Sequence, residues 1–260
     1  MSPKGKLSHA DGITTKQLLS WAEFENAIRD EMLDYRHFIW RGQASSSWLL
    51  EPTLDRLLKK LGKLSDDNIR ENHLRRFKYA SRGKRGKNPH NLNTENEWWA
   101  LGQHNGLSTP LLDWTTSPFV AAYFAFYPET NENAPERAVF GLSKISMELK
   151  SSEITAAWKG DKRPPILEFV EPLSDENDRL VNQGGLFTRS PDGVDIEQWA
   201  GSNFKGDTSY SRLIKYSIPN SERALALRSL NRMNINHLSL FPDLYGGSKF
   251  CNLDLLIDKY

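Results

Sequence analysis

Apolar residues recur at helical spacing between Thr15 and Leu33, where Leu18, Leu19, Trp21, Phe24 and Ile28 mark one face of an amphipathic helix. The polar stretch before it, Met1 to Ile13, carries no such pattern and reads as a disordered lead-in. His37 to Gln43 is a short β-type run that ends on Arg41 and Gly42. The glycine marks a turn or a close backbone approach where the arginine emerges. Ser45 to Thr53 reads as a loop. A second helix runs from Ser65, its N-cap, to Tyr79, and a third starts at Thr94, where Thr94 and Glu97 have the spacing of a capping box. That third helix is expected to break at Gly102. Further β-type runs lie at Ala138–Leu142, Ile166–Val170, Gln183–Thr188, Val194–Trp199 and Leu213–Ile218. Tyr127 to Pro135 reads as a polar loop, Asp175 to Leu180 as a short polar helix or turn, and Ser221 to Met233 as a helix capped by Ser221.

The stretch from Gly106 to Phe126 organises the rest. Leu111 and Leu112 run into the polar cluster Asp113, Thr115, Thr116 and Ser117, and Pro118 then opens the apolar segment Phe119 to Phe126. This pattern predicts a short buried strand, a turn of hydroxyl and carboxylate groups, and a buried helix. Ser117 is its N-cap, and Pro118 sits where a missing N–H costs nothing. Such a junction suits an anion or a ribose, although a well-capped core helix needs the same residues.

At 260 residues, with no repeats or long linker, the economical reading is one α+β domain over 14–260 with a central split or mixed sheet flanked by helices. The balance of 34 Lys and Arg against 33 Asp and Glu supplies no global argument for nucleic acid or membrane. A lone cysteine, Cys251, rules out an internal disulfide framework and fits a reducing compartment. The six histidines are scattered, so no metal is expected. No apolar run reaches about 18 residues, and a cytoplasmic location without membrane contact is expected. The local exception in charge follows the second helix, where Arg82, Lys84, Arg85 and Lys87 come soon after Phe77 and Tyr79. Basic and aromatic residues so interleaved could track phosphates and stack bases, or could be a solvated helix end.

Three stretches together resemble the FRG domain, a family named for an aromatic-x-Arg-Gly motif. They are Phe38-Ile39-Trp40-Arg41-Gly42-Gln43, then Gln103-His104-Asn105-Gly106 through Leu111-Leu112-Asp113-Trp114-Thr115, and Asn182-Gln183-Gly184-Gly185-Leu186-Phe187-Thr188. With a family-like ending at Leu240-Phe241-Pro242-Asp243, the likeness spans about 38–247. Pro110 and Asn105 depart from residues common in the family.

The order of elements is also similar to that of ADP-ribosyltransferases. There an arginine or histidine ends a first strand, a hydroxyl motif leads from a second strand into an apolar Ala-x-x-Phe-Ala helix, and a later strand carries a glutamate. Here the last position offers Gln183 instead. That likeness implies an ADP-ribosyltransferase-like core and NAD as substrate. Arg41, with Gly42, would hold the pyrophosphate as a bidentate fork, and Thr115, Thr116 and Ser117 would hold ribose. Trp114 or Tyr123 would stack on nicotinamide. Asp113 is the first candidate for a carboxylate facing the oxocarbenium-like charge, with Glu197 and Glu168 behind it. Gln183 would position, and His104 would bind phosphate or act as a base. The expected function is a toxin of anti-phage defence that modifies nucleic acid, RNA first, or protein, and that needs a neutralising antitoxin. The alternative is a non-catalytic module that binds a nucleotide or nucleic acid in the same pocket.

Overall fold

The computed structural model describes residues 5–66, 68–87, 89, 91–127, 134–171 and 182–260. Its strands are β1 Leu7–Ala10, β2 Ile13–Gln17, β3 Phe38–Gln43, β4 Leu112–Thr115, β5 Glu136–Ser143, β6 Glu168–Val170, β7 Gly185–Arg189 and β8 Leu213–Pro219. The helices are α1 Trp21–Ala27, α2 Thr53–Lys60, α3 Ile69–Ala80, α4 Glu95–His104, α5 Pro118–Phe126, α6 Lys144–Ala157, α7 Ile196–Asn203, α8 Arg223–Arg232, α9 His237–Leu240 and α10 Leu244–Leu256. All eight strands form one sheet in the order β1-β2-β8-β5-β3-β4-β7-β6. The sheet is mixed, because β2 and β8 run parallel while the other neighbours are antiparallel.

The middle strands are apolar on both faces, which is why β3 reads as a continuous hydrophobic run. Phe38 and Trp40 join the cluster formed with α1, α5 and α8, and Ile39 joins the one on the opposite face with Leu112, Trp114, Phe140 and Trp199. A third cluster packs Leu54, Leu58, Leu74 and Trp99 of α2, α3 and α4 against Leu111, Val170 and Phe187. Buried beside it, Arg70 donates to Asp55 at 2.7 Å, and the Gly193 N–H donates to the other carboxylate oxygen at 2.9 Å. Both charges therefore leave water with partners.

The ladders are uneven. Strand β3 pairs with β5 from Phe38↔Ser143 to Gln43↔Ala138, and β4 pairs with β7 along its whole length. Between β3 and β4 the register holds at Trp40↔Thr115 alone. The sheet is two blocks, β1-β2-β8-β5-β3 and β4-β7-β6, joined at one pair, and beyond that pair β3 and β4 part.

Several local expectations need correction. The lead-in is a hairpin, β1 and β2, turned by Asp11 and Gly12 at φ 52° and 72°. Two consecutive positive φ values make a turn whose twist matches the flanking strands, and Asp-Gly is its sequence signal. The helix expected from Thr15 starts only at Trp21, after Ser20 caps it by accepting from the Glu23 N–H. Thr53, the last residue of the stretch read as loop, opens α2, and α3 starts at Ile69, not beside Ser65. Helix α4 keeps its Thr94–Glu97 capping box but runs through Gly102 to His104. Val194–Trp199 is not a strand. Asp195 accepts from the Gln198 N–H and caps α7, which buries Ile196, Trp199 and Ala200 at helical spacing. Helix α8 follows a 3-10 turn and takes no cap from Ser221. The expectations at Asp175–Leu180 and at 128–133 of the polar loop lie outside the described residues. Among the described residues, no helix is long and apolar enough to cross a membrane, and no group of three or more His, Cys, Asp or Glu could hold a metal ion.

His237, at the start of α9, is 2% exposed and meets the Tyr123 hydroxyl at 2.7 Å through Nδ1. Burial pulls its pKa down from 6.5 to about 4, with Lys249 acting in the same direction. The unfolded chain therefore binds a proton on this ring that the folded chain refuses. Its contribution to stability is complete above about pH 6.5 and is lost as pH falls toward about 4. The expected thermal midpoint drops across that window, and His237→Gln flattens the drop. Superimposable acid profiles for the two proteins would rule the effect out.

Candidate functional site

Where β3 and β4 part, a cleft of about 340 Å³ opens, lined among others by Arg41, Asp113, Thr115, Phe124, Gln183 and Phe241. Arg41 Nη1 donates to the Asp113 carbonyl at 2.7 Å and lies 3.8 Å from Oδ2 of the same residue. The guanidinium satisfies a carbonyl that the diverging β3 backbone no longer reaches. Burial lowers the pKa of Arg41 from its ordinary value, Asp113 opposes this, and nearby Arg56 adds to the lowering. The group stays charged regardless. The Asp113 carboxylate is 63% exposed, so a cation mostly inside the protein faces a carboxylate open to solvent. An anionic ligand would bring Arg41 the full partner it lacks at 3.8 Å.

Gly42 lines the same cleft, yet its packing explains it. A Cβ there would stand 1.9 Å from the Ala121 carbonyl oxygen and 2.6 Å from the Ala125 nitrogen. The close approach of α5 to β3 requires glycine. Gly184, at φ 54°, supplies the turn that brings Gln183 to the cleft.

The hydroxyl turn holds backbone more than it holds space for a ligand. Thr115 is buried, donates to the Gln183 carbonyl at 2.6 Å and accepts from the Ser117 N–H. Ser117 accepts from the Val120 N–H as N-cap of α5, as its sequence position predicts. Thr116 is exposed, and its backbone N–H donates to the Gly184 carbonyl. Neither Thr116 nor Ser117 lines the cleft. Ser117→Ala is therefore expected to cost about 1 kcal/mol of stability and to leave ligand affinity unchanged, with denaturant melts and ligand titration as the paired measurements.

The aromatic assignments shift as well. Tyr123 is fully buried against His237 and cannot stack on a ligand. Trp114 is among the residues that line the cleft, although its indole packs in the cluster on the opposite face and donates to Thr188 Oγ1 at 2.8 Å. Phe124 and Phe241 line the cleft too, edge to face with ring centres 6.1 Å apart. Helical spacing offered a clue, since Ala121 and Phe124 are three apart and share one face of α5. Gln183 donates through Nε2 to the Leu240 carbonyl at 3.2 Å, tying the segment that carries Phe241 to the cleft. His104 is not at this cleft. Helix α4 carries it to a separate opening beside Lys84 and Arg85. Glu168 is held by Arg163 and Asn96, and Glu197 lies 3.6 Å from Lys215, so neither lines the cleft. Burial raises the pKa of Glu197 from its ordinary value.

The sequence matches the FRG domain model over residues 36–134, the span that holds β3, α2 to α4, β4 and α5. The chain carries an FRG domain. Both Arg41 and Asp113 fall inside the matched span, and the FRG domain thus supplies the two charged groups of the cleft. Gln183 and Phe241 lie beyond it. No curated protein and no solved structure matches the chain.

Proposed function

We propose that the FRG cleft binds NAD and transfers its ADP-ribosyl group to an acceptor. The observation that supports this is the meeting of Arg41 from β3, Asp113 from β4 and Gln183 from the turn before β7 at one opening. Arg41 is the cation for the pyrophosphate, with Arg56 strengthening the local positive field. Phe124 and Phe241 offer ring faces for nicotinamide. As the glycosidic bond breaks, its electron pair leaves with the nicotinamide nitrogen and positive charge develops on the ribose. Asp113 is the sole carboxylate among the described residues lining the cleft. It faces that charge and accepts the proton that the acceptor gives up as it bonds to the ribose carbon. Gln183 positions and carries no proton. No metal has a part in this scheme.

An enzyme that spends NAD on cellular acceptors is toxic unless restrained, so the reading includes a role as an anti-phage toxin held by a neutralising protein. The test is incubation of the protein with NAD labelled in the adenylate moiety, plus RNA, DNA or cell extract. Label on a macromolecule is the expected result. A second reading, a nucleotide-binding module without turnover, is favoured by one observation: the Thr115 hydroxyl and the Gln183 amide already serve backbone carbonyls. NAD bound but never cleaved would decide for that reading.

A further inference from the structure

A second opening lies between the C-terminal ends of α3 and α4. It measures about 470 Å³ and is lined by Phe77, Leu101, Lys84, Arg85, His104 and Asn105, within the roughly 300–1,000 Å³ range of ligand sites. The charge beside it is one-sided, although the chain as a whole is nearly neutral. Between residues 69 and 87, eight lysines and arginines stand against a single acid, Glu71. Arg70 is spent on Asp55, but Arg75, Arg76, Arg82, Lys84 and Lys87 are exposed. Aromatic rings are interleaved with these cations. The Arg82 guanidinium sits 4.3 Å from the centre of the Tyr79 ring, and Lys78 and Arg85 sit 5.5 and 5.1 Å from that of Trp98. Gly83 and Gly86, at φ 70° and 81°, turn the chain after α3 so that Lys84 and Arg85 reach the opening.

A ligand that suits this place carries repeated negative charge together with flat, weakly polar faces. Phe77 and Leu101 offer apolar surface to a ring. His104 and Asn105 offer polar edges, and the Asn105 amide nitrogen is already committed to the Leu101 carbonyl at 2.9 Å, which leaves its oxygen as an acceptor. An acidic protein surface would use the cations but not the ring-sized apolar opening. A duplex would present phosphates with its bases stacked away from it. We infer that the α3–α4 opening docks single-stranded nucleic acid, with an unstacked base against Phe77 and Leu101 and flanking phosphates on Lys84 and Arg85. Such a strand is also the acceptor class for the β3–β4 cleft. That last step rests on the transferase reading, but the docking does not.

The test is fluorescence anisotropy of a labelled 12-nucleotide RNA, its DNA counterpart and the matching duplex with the full chain, without NAD, over a salt series. Single strands are expected to bind. Lys84→Ala/Arg85→Ala should weaken them about tenfold or more and flatten the salt slope by about 1.4, two phosphate contacts at roughly 0.7 each. Phe77→Leu, which keeps apolar volume for the fold, should weaken binding with the slope unchanged. Equal affinity for RNA and DNA strands supports the inference, as does a preference for RNA. Unchanged affinity and slope in the double variant overturns it, as does duplex binding as tight as that of the single strand, or displacement by polyglutamate of equal charge. Because NAD is absent from the assay, a failed transferase reading leaves these outcomes unaffected.

Discussion

Arg41→Ala is expected to lower label transfer from NAD by about 100-fold or more, the scale seen when one preorganised electrostatic contact to a developing charge is lost. Among the described residues lining the cleft there is no second cation to replace it, and nearby Arg56 donates to the Glu51 carbonyl. Arg41→Lys keeps the charge but loses the fork, so an intermediate rate is expected. The fold should tolerate both changes. The carbonyl released by the substitution belongs to Asp113, at a cleft open to water, and losing that bond costs about 1 kcal/mol. Asp113→Asn tests the other half of the site: NAD should still bind while transfer falls, since the amide can neither face the ribose cation as a charge nor take the proton. Growth offers an independent readout. Expression of the wild-type chain should arrest cells, and Arg41→Ala should relieve the arrest. Wild-type turnover by purified Arg41→Ala would sink the assignment of the cleft as the NAD site.

Much of this site was legible in sequence because its parts carry local signals. A strand ending in Arg-Gly, a strand that breaks into a hydroxyl turn, and Ser-Pro before an apolar run each announce a backbone change within a few residues. The capping box at Thr94 and the N-cap at Ser117 are of the same kind. What sequence concealed was long-range. His104 stands near Asp113 along the chain, but α4 ends on it and places it at the other opening, beside Lys84 and Arg85. Phe241 joins the cleft from the far end of the chain, held there by the Gln183 amide. Two corrected elements carry local signals as well. The Asp11-Gly12 turn joins strands too short and polar to show an apolar alternation, and Asp195 caps a helix whose Ile196, Trp199 and Ala200 spacing is too short to stand out. Tyr123 shows the limit of an all-apolar helix: with every position hydrophobic, periodicity does not say which ring faces a ligand and which the core.

Gly42→Ala is expected to damage the fold at the site severely, at about 3 kcal/mol or more. The methyl group would be placed 1.9 Å from the Ala121 carbonyl oxygen and 2.6 Å from the Ala125 nitrogen. These are backbone atoms of Ala121 and Ala125, both fully buried in α5, so no side-chain rotation relieves the overlap. Helix α5 would have to lift from β3, opening the contact that Ala121, Ala122 and Ala125 make with no exposure at all. Because α5 follows β4 directly and β4 meets β3 at one register pair, lifting the helix pulls on the single joint between the two blocks of the sheet. The loss should therefore appear both as a lower denaturation midpoint and as weaker NAD binding, even though glycine has no side chain to contact a ligand. The Ala121→Gly/Gly42→Ala double variant separates these effects poorly, since the clash is with backbone and remains. A more telling control is Gly141→Ala on the neighbouring strand β5, where the added methyl would meet the Trp40 ring at 2.7 Å. A ring can shift, so its cost should be smaller. Equal stability losses at the two glycines would mean that α5 is held less rigidly against β3 than the backbone contact at Gly42 requires.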